Sequence, residues 1–167
     1  KEIGKYGFVT RNGKELMIKL ANGKDVKYTN VVPQKTGEET EVTSYTFREC
    51  IEAINSFIIV TQLYEGQKSD LVNYNSGQSV TLLGVPMIIS PDKSNVLNIA
   101  VASVYETNGI QIVSVDKTSV KEAFKTTDFN PLNARWIDNN TVEVVCMNST
   151  SAGIVPNDPN CYIYAIR

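Results

Sequence analysis

Two pairs of carboxylates stand close enough in this chain to share work as acid and base. Glu49 lies three residues from Glu52, and Asp138 lies five from Glu143. Such pairs cleave glycosidic bonds or run lyase chemistry when they face one another across a substrate. Both pairs fall beside sequences that read as hairpins, where charged side chains ordinarily stay solvated. Asp92, Asp116 and Asp138 sit in turns, where an Asp carboxylate accepts hydrogen bonds from nearby backbone N–H groups. That duty explains them without a metal. Asn157-Asp158-Pro159-Asn160 offers one carboxylate in four residues, thin against the several oxygens that calcium takes. The chain contains no histidine. Its absence removes Ser-His and Cys-His nucleophiles, the commonest base near neutral pH and every His-containing metal site. The expectation is a protein that is not an enzyme, with no cofactor and no metal.

The cysteines are Cys50, Cys146 and Cys161, with no C-x-x-C spacing among them. Cys146 and Cys161 flank one polar stretch and could form a single disulfide, as an oxidising compartment permits. The alternative is three buried thiols acting as small hydrophobes. Lys1 stands where an initiator Met would, which hints at a trimmed, exported chain and so at a periplasmic or extracellular location. The formal net charge of −2, with Lys and Arg scattered, gives no basic stripe for nucleic acid. Apolar runs of a few residues fall far short of the roughly 20 that span a bilayer.

Short apolar, β-branched runs separated by turn clusters fill the chain. Tyr6–Thr10, Leu16–Leu20 and Val26–Val31 are divided by Arg11-Asn12-Gly13-Lys14 and Ala21-Asn22-Gly23-Lys24. Asn-Gly between apolar runs is a strong hairpin signal, because both central residues of a type I′ turn need positive φ. Residues 33–44 are polar and rich in Glu and Thr, and read as an exposed loop. Residues 45–56 are ambiguous. Phe47, Cys50, Ile51 and Ile54 follow helical spacing and Thr46-x-x-Glu49 could be a capping box, whereas the repeat below favours a strand. Strands are expected at 57–64, 71–74 and 80–83, then through Val85–Phe124 as one up-and-down unit. Residues 119–126 are again open between strand and helical turn. Residues 129–147 read strand, turn, strand, with Trp136 in the core. Residues 148–160 read as a long loop of small, polar, Gly and Pro residues, and Cys161–Ile166 as a last strand. All 167 residues are read as a single β-repeat domain.

The chain repeats itself. Leu16–Gly23, Asp70–Gly77 and Gln111–Thr118 align around a strand and turn. The pieces before Phe57–Val60, Val96–Ile99 and Val142–Val145 align likewise. From Leu71 to Ile112 is a step of 41 residues, within the period of a four-stranded propeller blade. Ile89-Ser90-Pro91-Asp92 and Ala134-Arg135-Trp136-Ile137-Asp138-Asn139-Asn140 resemble the inner turns of the β-propeller superfamily of WD40-like and TolB-like repeats. That resemblance implies an all-β, small or incomplete propeller of about four blades, with strands counted three, four, four and three. An antiparallel sandwich with one or two short helices is the alternative.

A compact β repeat lacking a nucleophile or phosphate loop offers a rigid surface with loops at one end. Small exported β proteins of this size and charge resemble inhibitors of secreted or periplasmic enzymes. One such class is the immunity proteins that neutralise peptidoglycan-cleaving type VI secretion effectors. The expected partner is therefore a protein, a secreted or periplasmic hydrolase whose cleft a loop occludes. The loop residues expected to bind it are Asn148, Ser149, Thr150, Ser151, Ala152, Gly153, Asn157 and Asp158. An interaction module of a larger propeller, or a carboxylate-based glycosidase or lyase, are the alternatives. Asn139-Asn140-Thr141 and Asn148-Ser149-Thr150 also match the N-glycosylation pattern.

Overall fold

Alternation of side chains across a pleat explains most of the architecture in a computed structural model. The structure describes residues 5–32, 42–84, 87–101, 108–128, 130–150 and 153–165. Among them the fold is all-β, in four antiparallel sheets, none of them closed. Sheet one is β1 (Val9–Asn12), β2 (Glu15–Lys19) and β3 (Asp25–Thr29). Sheet two is β4 (Thr43–Ile51), β5 (Ser56–Leu63), β6 (Gly66–Asn73) and β7 (Ser79–Leu82). Sheet three is β8 (Met87–Ile89), β9 (Asn95–Ala100), β10 (Gly109–Val115) and β11 (Val120–Thr126), and sheet four is β12 (Asn130–Trp136), β13 (Thr141–Thr150) and β14 (Gly153–Ala165). Each is a simple meander. The expected three, four, four and three strands are all present.

The chain divides into two compact units, Lys1–Thr81 with Asp116–Val120, and Leu82–Val115 with Lys121–Arg167. The first packs sheets one and two through Val9, Leu16, Ile18 and Leu20 against Phe47, Phe57, Ile59 and Val72. Tyr6, Phe8 and Tyr74 extend this core as tilted aromatic contacts, Phe8–Tyr74 being the closest at 4.8 Å between centroids. The second unit packs Leu97, Ile99, Ile110 and Ile112 of sheet three against Ala134, Val142, Val144 and Cys146 of sheet four. Trp136 lies half-buried on that core and donates from Nε1 to the Ile88 carbonyl at 2.8 Å.

The ladders sharpen the repeat. Ile58 pairs with Leu71 and Leu97 with Ile112, so two independent sequence alignments, one per strand, agree. The first copy is displaced by one residue. Sequence sets Met17 against Leu71, but Ile18, paired with Val9, is the residue that is buried in the core. A slip of one residue exchanges the faces of a strand, so burial fixes what an alignment by eye does not. The first hairpin is shifted too. Asn12 pairs with Glu15, which centres the turn on Gly13-Lys14, and Gly13 alone takes positive φ there, at 55°. That is the pattern of a type II′ turn and not the expected type I′.

Residues 43–51 form a strand followed by a 3-10 turn, Glu52–Ile54. The helical spacing has a specific source. A bulge leaves Arg48 unpaired between Phe47↔Ile59 and Glu49↔Ile58, so Phe47 and Cys50 reach one face three residues apart. Residues 120–126 are strand. At Gly109 (φ 138°) the backbone of residues 126–127 crosses so closely that a Cβ would stand 2.1 Å from the Thr126 carbonyl, a place only glycine can occupy.

Asn98 and Gln111, opposite one another on β9 and β10, are fully buried. Asn98 accepts from the Gly84 N–H at 2.7 Å and donates to the Gly84 carbonyl; Gln111 accepts from the Leu83 N–H at 2.9 Å and donates to Glu122 at 2.8 Å. Asn98→Leu keeps the volume but strips Gly84 of two partners. We expect a loss of about 1–3 kcal/mol, typical of a buried polar group left unsatisfied, read in urea as a lower midpoint with unchanged slope.

Candidate functional site

The C-terminal hairpin holds the residues expected to bind a partner. Asn148, Ser149 and Thr150 end β13, and Gly153, Asn157 and Asp158 lie in β14. Ser151 and Ala152 lie outside the described residues. The expected long loop of residues 148–160 is instead strand over most of its length. Pro156 and Pro159 read as loop signals, but β14 is an edge strand, where proline is tolerated because one side of the backbone needs no ladder partner.

The ribbon outruns its sheet. Among the described residues β12 pairs with β13 as far as Asn130↔Met147, whereas β13 and β14 stay paired out to Thr150↔Gly153. Between Met147↔Pro159 and Ser149↔Ile154, four residues of β14 (155–158) face a single residue of β13, Asn148. That excess bends the ribbon away from a regular ladder. It also keeps Asn157 and Asp158 out of regular pairing, so part of the loop character read from sequence survives as a bulge.

The ladder also bears on the expected disulfide. Cys146 pairs with Asn160, and Cys161 with Val145. A one-residue offset places two positions on opposite faces of the pleat, and a disulfide needs both Cβ atoms on one side. The described side chains contain no disulfide; Cys146 is buried on the sheet-four side of its core. Cys50 is half-buried, and burial, reinforced by Glu52, raises its thiol pKa.

The acidic residues serve the turns. Asp116 accepts from the Ser119 hydroxyl at 2.6 Å and from the N–H groups of Thr118 and Ser119, each at 2.7 Å. These bonds, the hydroxyl's first, pull its pKa from 3.8 down to about 2. Asp92 is lowered by the Ser90 hydroxyl and then by Ser94, and Asp138 by the Asn140 N–H. Asn73 does the same with an amide, accepting from the N–H groups of Asn75 and Ser76 at 3.0 Å. Neither carboxylate pair is arranged as a facing acid and base. Glu143 forms an ion pair with Arg135, Asp138 caps its own turn, and Glu49 and Glu52 are exposed on a strand and the following turn.

Among the described residues no group of three or more His, Cys, Asp or Glu converges as a metal site, and no helix is long and apolar enough to cross a membrane. Tyr28, packed on Tyr45 at 5.2 Å, has its hydroxyl pKa pushed to about 12 by burial and then by the Asp70 carboxylate. Thr61 Oγ1 and Asn108 Oδ1 are buried without a hydrogen-bond partner. Sequence reading missed Thr61, because a threonine in a strand carries no mark of which face it occupies. No family model matches the chain, and no curated protein or solved structure does.

The depressed Asp116 pKa has a readable consequence. The bonds that favour the carboxylate are fully present above pH 3.8 and are lost as pH falls through about 2. Carboxyl NMR should show Asp116 titrating near 2, with the Thr118 and Ser119 amide shifts following it. In Ser119→Ala the midpoint should move up towards 3.8.

Proposed function

We propose that this protein is a binding protein without catalytic machinery, an inhibitor of immunity-protein type that occludes the cleft of a secreted or periplasmic cell-wall hydrolase. The observation that carries the reading is the two-stranded ribbon running on beyond Asn130↔Met147, with its four-residue excess at 155–158. Backbone already paired in a ribbon anchored in a sheet has less freedom to lose, so a partner that grips it loses little entropy on binding. The sheets that carry it are, in this reading, the blades of a small or incomplete propeller. Its support is the 41-residue step from Leu71 to Ile112, with matching ladder partners in sheets two and three.

The alternative of an interaction module cut from a larger propeller expects apolar outer faces on the first and last sheets. Thr10, Lys19 and Lys27, on the face of sheet one turned from its core, are exposed, and the Arg135–Glu143 ion pair lies on the corresponding face of sheet four. Polar outer faces are what terminal repeats need. The glycosidase alternative requires two facing carboxylates; of the two pairs, Asp138 caps its turn, Glu143 is ion-paired with Arg135, and Glu49 and Glu52 are exposed.

The test replaces residues 148–158 by an Asn-Gly turn joining Met147 to Pro159, a pair already in register. Wild-type protein on a resin should capture a hydrolase from periplasmic extract and suppress its lysis of purified peptidoglycan. The shortened variant should keep its melting temperature within a few degrees and lose capture by at least about 100-fold, roughly 2.7 kcal/mol. Equal capture by both proteins would remove the ribbon from the interface.

A further inference from the structure

We propose that the end of the first unit's core binds a saccharide, through Tyr28, Tyr45, Thr61, Lys68 and Asp70. The place is set by where packing stops. On the face of sheet two turned to sheet one, β5 presents Phe57, Ile59, Thr61 and Leu63 in turn. Phe57 and Ile59 are fully buried, Thr61 is 1% exposed and Leu63 is 42% exposed. Thr61 is thus the last covered position, and its Oγ1 is buried without a hydrogen-bond partner. Valine would fill the same volume without that cost, so packing does not account for the hydroxyl. Just beyond it the face is open: a Cβ added at Gly66, opposite Leu63, would meet nothing within 4 Å.

Ladder partners share a face, so the row through Thr61 brings Tyr45 of β4 and Lys68 of β6 beside it. Asp70, opposite Ile59, stands on the same face one step inwards. Tyr28 reaches the site from sheet one, its ring packed on Tyr45 at 5.2 Å and 41°. Burial, and then the Asp70 carboxylate, keep its hydroxyl a donor at ordinary pH. These groups select the ligand class. Lys68 and Asp70 carry opposite charges two residues apart on one face, and no ion pair joins them among the described residues. A simple ion would be drawn by one and repelled by the other. A sugar uses both, because each hydroxyl can donate to a carboxylate and accept from an ammonium or a phenol. Asp70 accepts the Thr81 hydroxyl on Oδ1 at 2.6 Å, which leaves Oδ2 to accept from the ligand. The C–H face of a pyranose ring, slightly positive, suits the negative face of a tyrosine ring. None of these residues belongs to the C-terminal ribbon, so binding here is independent of a partner that grips residues 148–158.

The test is an NMR titration of the isotope-labelled full chain with four neutral trisaccharides: cellotriose, maltotriose, mannotriose and tri-N-acetylchitotriose. At least one should shift the amides of Tyr28, Tyr45, Thr61, Lys68 and Asp70 and saturate with a Kd below about 1 mM. Thr61→Val should hold or raise the melting temperature and weaken that binding at least about 10-fold. A hydroxyl of merely structural consequence would change the melting temperature and leave the affinity alone. Should Thr61→Val not fold, Asp70→Asn, at a half-buried position, supplies the same comparison with the same expected loss. No shift at these amides from any of the four sugars at about 10 mM, ten times that Kd, overturns the proposal. So does wild-type affinity in the folded variants, or a response confined to other residues. A shift of these amides by n-butylammonium and by none of the sugars would make this a cation site, and overturns it equally.

Discussion

Two buried amides hold sheet three in its register. Asn98 and Gln111 face one another across β9 and β10, fully buried, and bind the backbone of the incoming chain at Leu83 and Gly84. Both strands are buried on both faces over most of their length. Hydrophobic burial alone would therefore tolerate a slip of one residue, which would exchange Leu97 and Ile99 for Val96 and Asn98 on the face towards sheet four. A slip would leave both amides in apolar surroundings, a penalty of a few kcal/mol for each unsatisfied group. The polar pair thus supplies the discrimination that the apolar residues around it lack. With this register set, Leu97, Ile99, Ile110 and Ile112 form one face and can pack on sheet four.

Strand order was readable because turn chemistry is local. The Asn-Gly, Ser-Pro-Asp and Asp-Lys-Thr sequences mark hairpin ends through side chains that bond their own backbone, as Asp92 and Asp116 do. Register was harder to read. Met17 and Ile18 are both apolar, and only packing against Phe57 and Val72 tells which one belongs inside. The bulge at Arg48 turned a period of two into a spacing of three, which imitates a helix until the partner strand is known. Asn98 within Val-Leu-Asn-Ile looks like the exposed position of an alternating strand, yet it is buried. Its partner is backbone 14 residues away, and nothing in the local sequence announces that.

The candidate site shows the same division. Small and polar residues at 148–160 read as a loop, but composition does not separate a loop from a bulged ribbon. Proline within a strand is excluded only where both edges are paired, so Pro156 and Pro159 depend for their meaning on where the sheet ends. The cysteine pairing turned on one residue of register, which spacing along the chain does not contain. The expected disulfide and the expected loop share one cause, residues 148–160 taken as unpaired backbone.

The first and last sheets differ from those between them in a way that follows from solvation. β9 and β10 carry near-continuous apolar sequence because both of their faces are covered, whereas β2 and β3 alternate buried with half-buried or exposed residues. Glu15 and Lys27 pair on the outer side of sheet one, and Arg135 and Glu143 pair on that of sheet four. Exposed pairs of this kind add little stability. Their effect is to make stacking of a further sheet unfavourable, since both charges would lose water. The face of each of these two sheets turned from its own core is thus closed to growth. Edges are a separate problem, and charged side chains along β3 and β11 guard two of them.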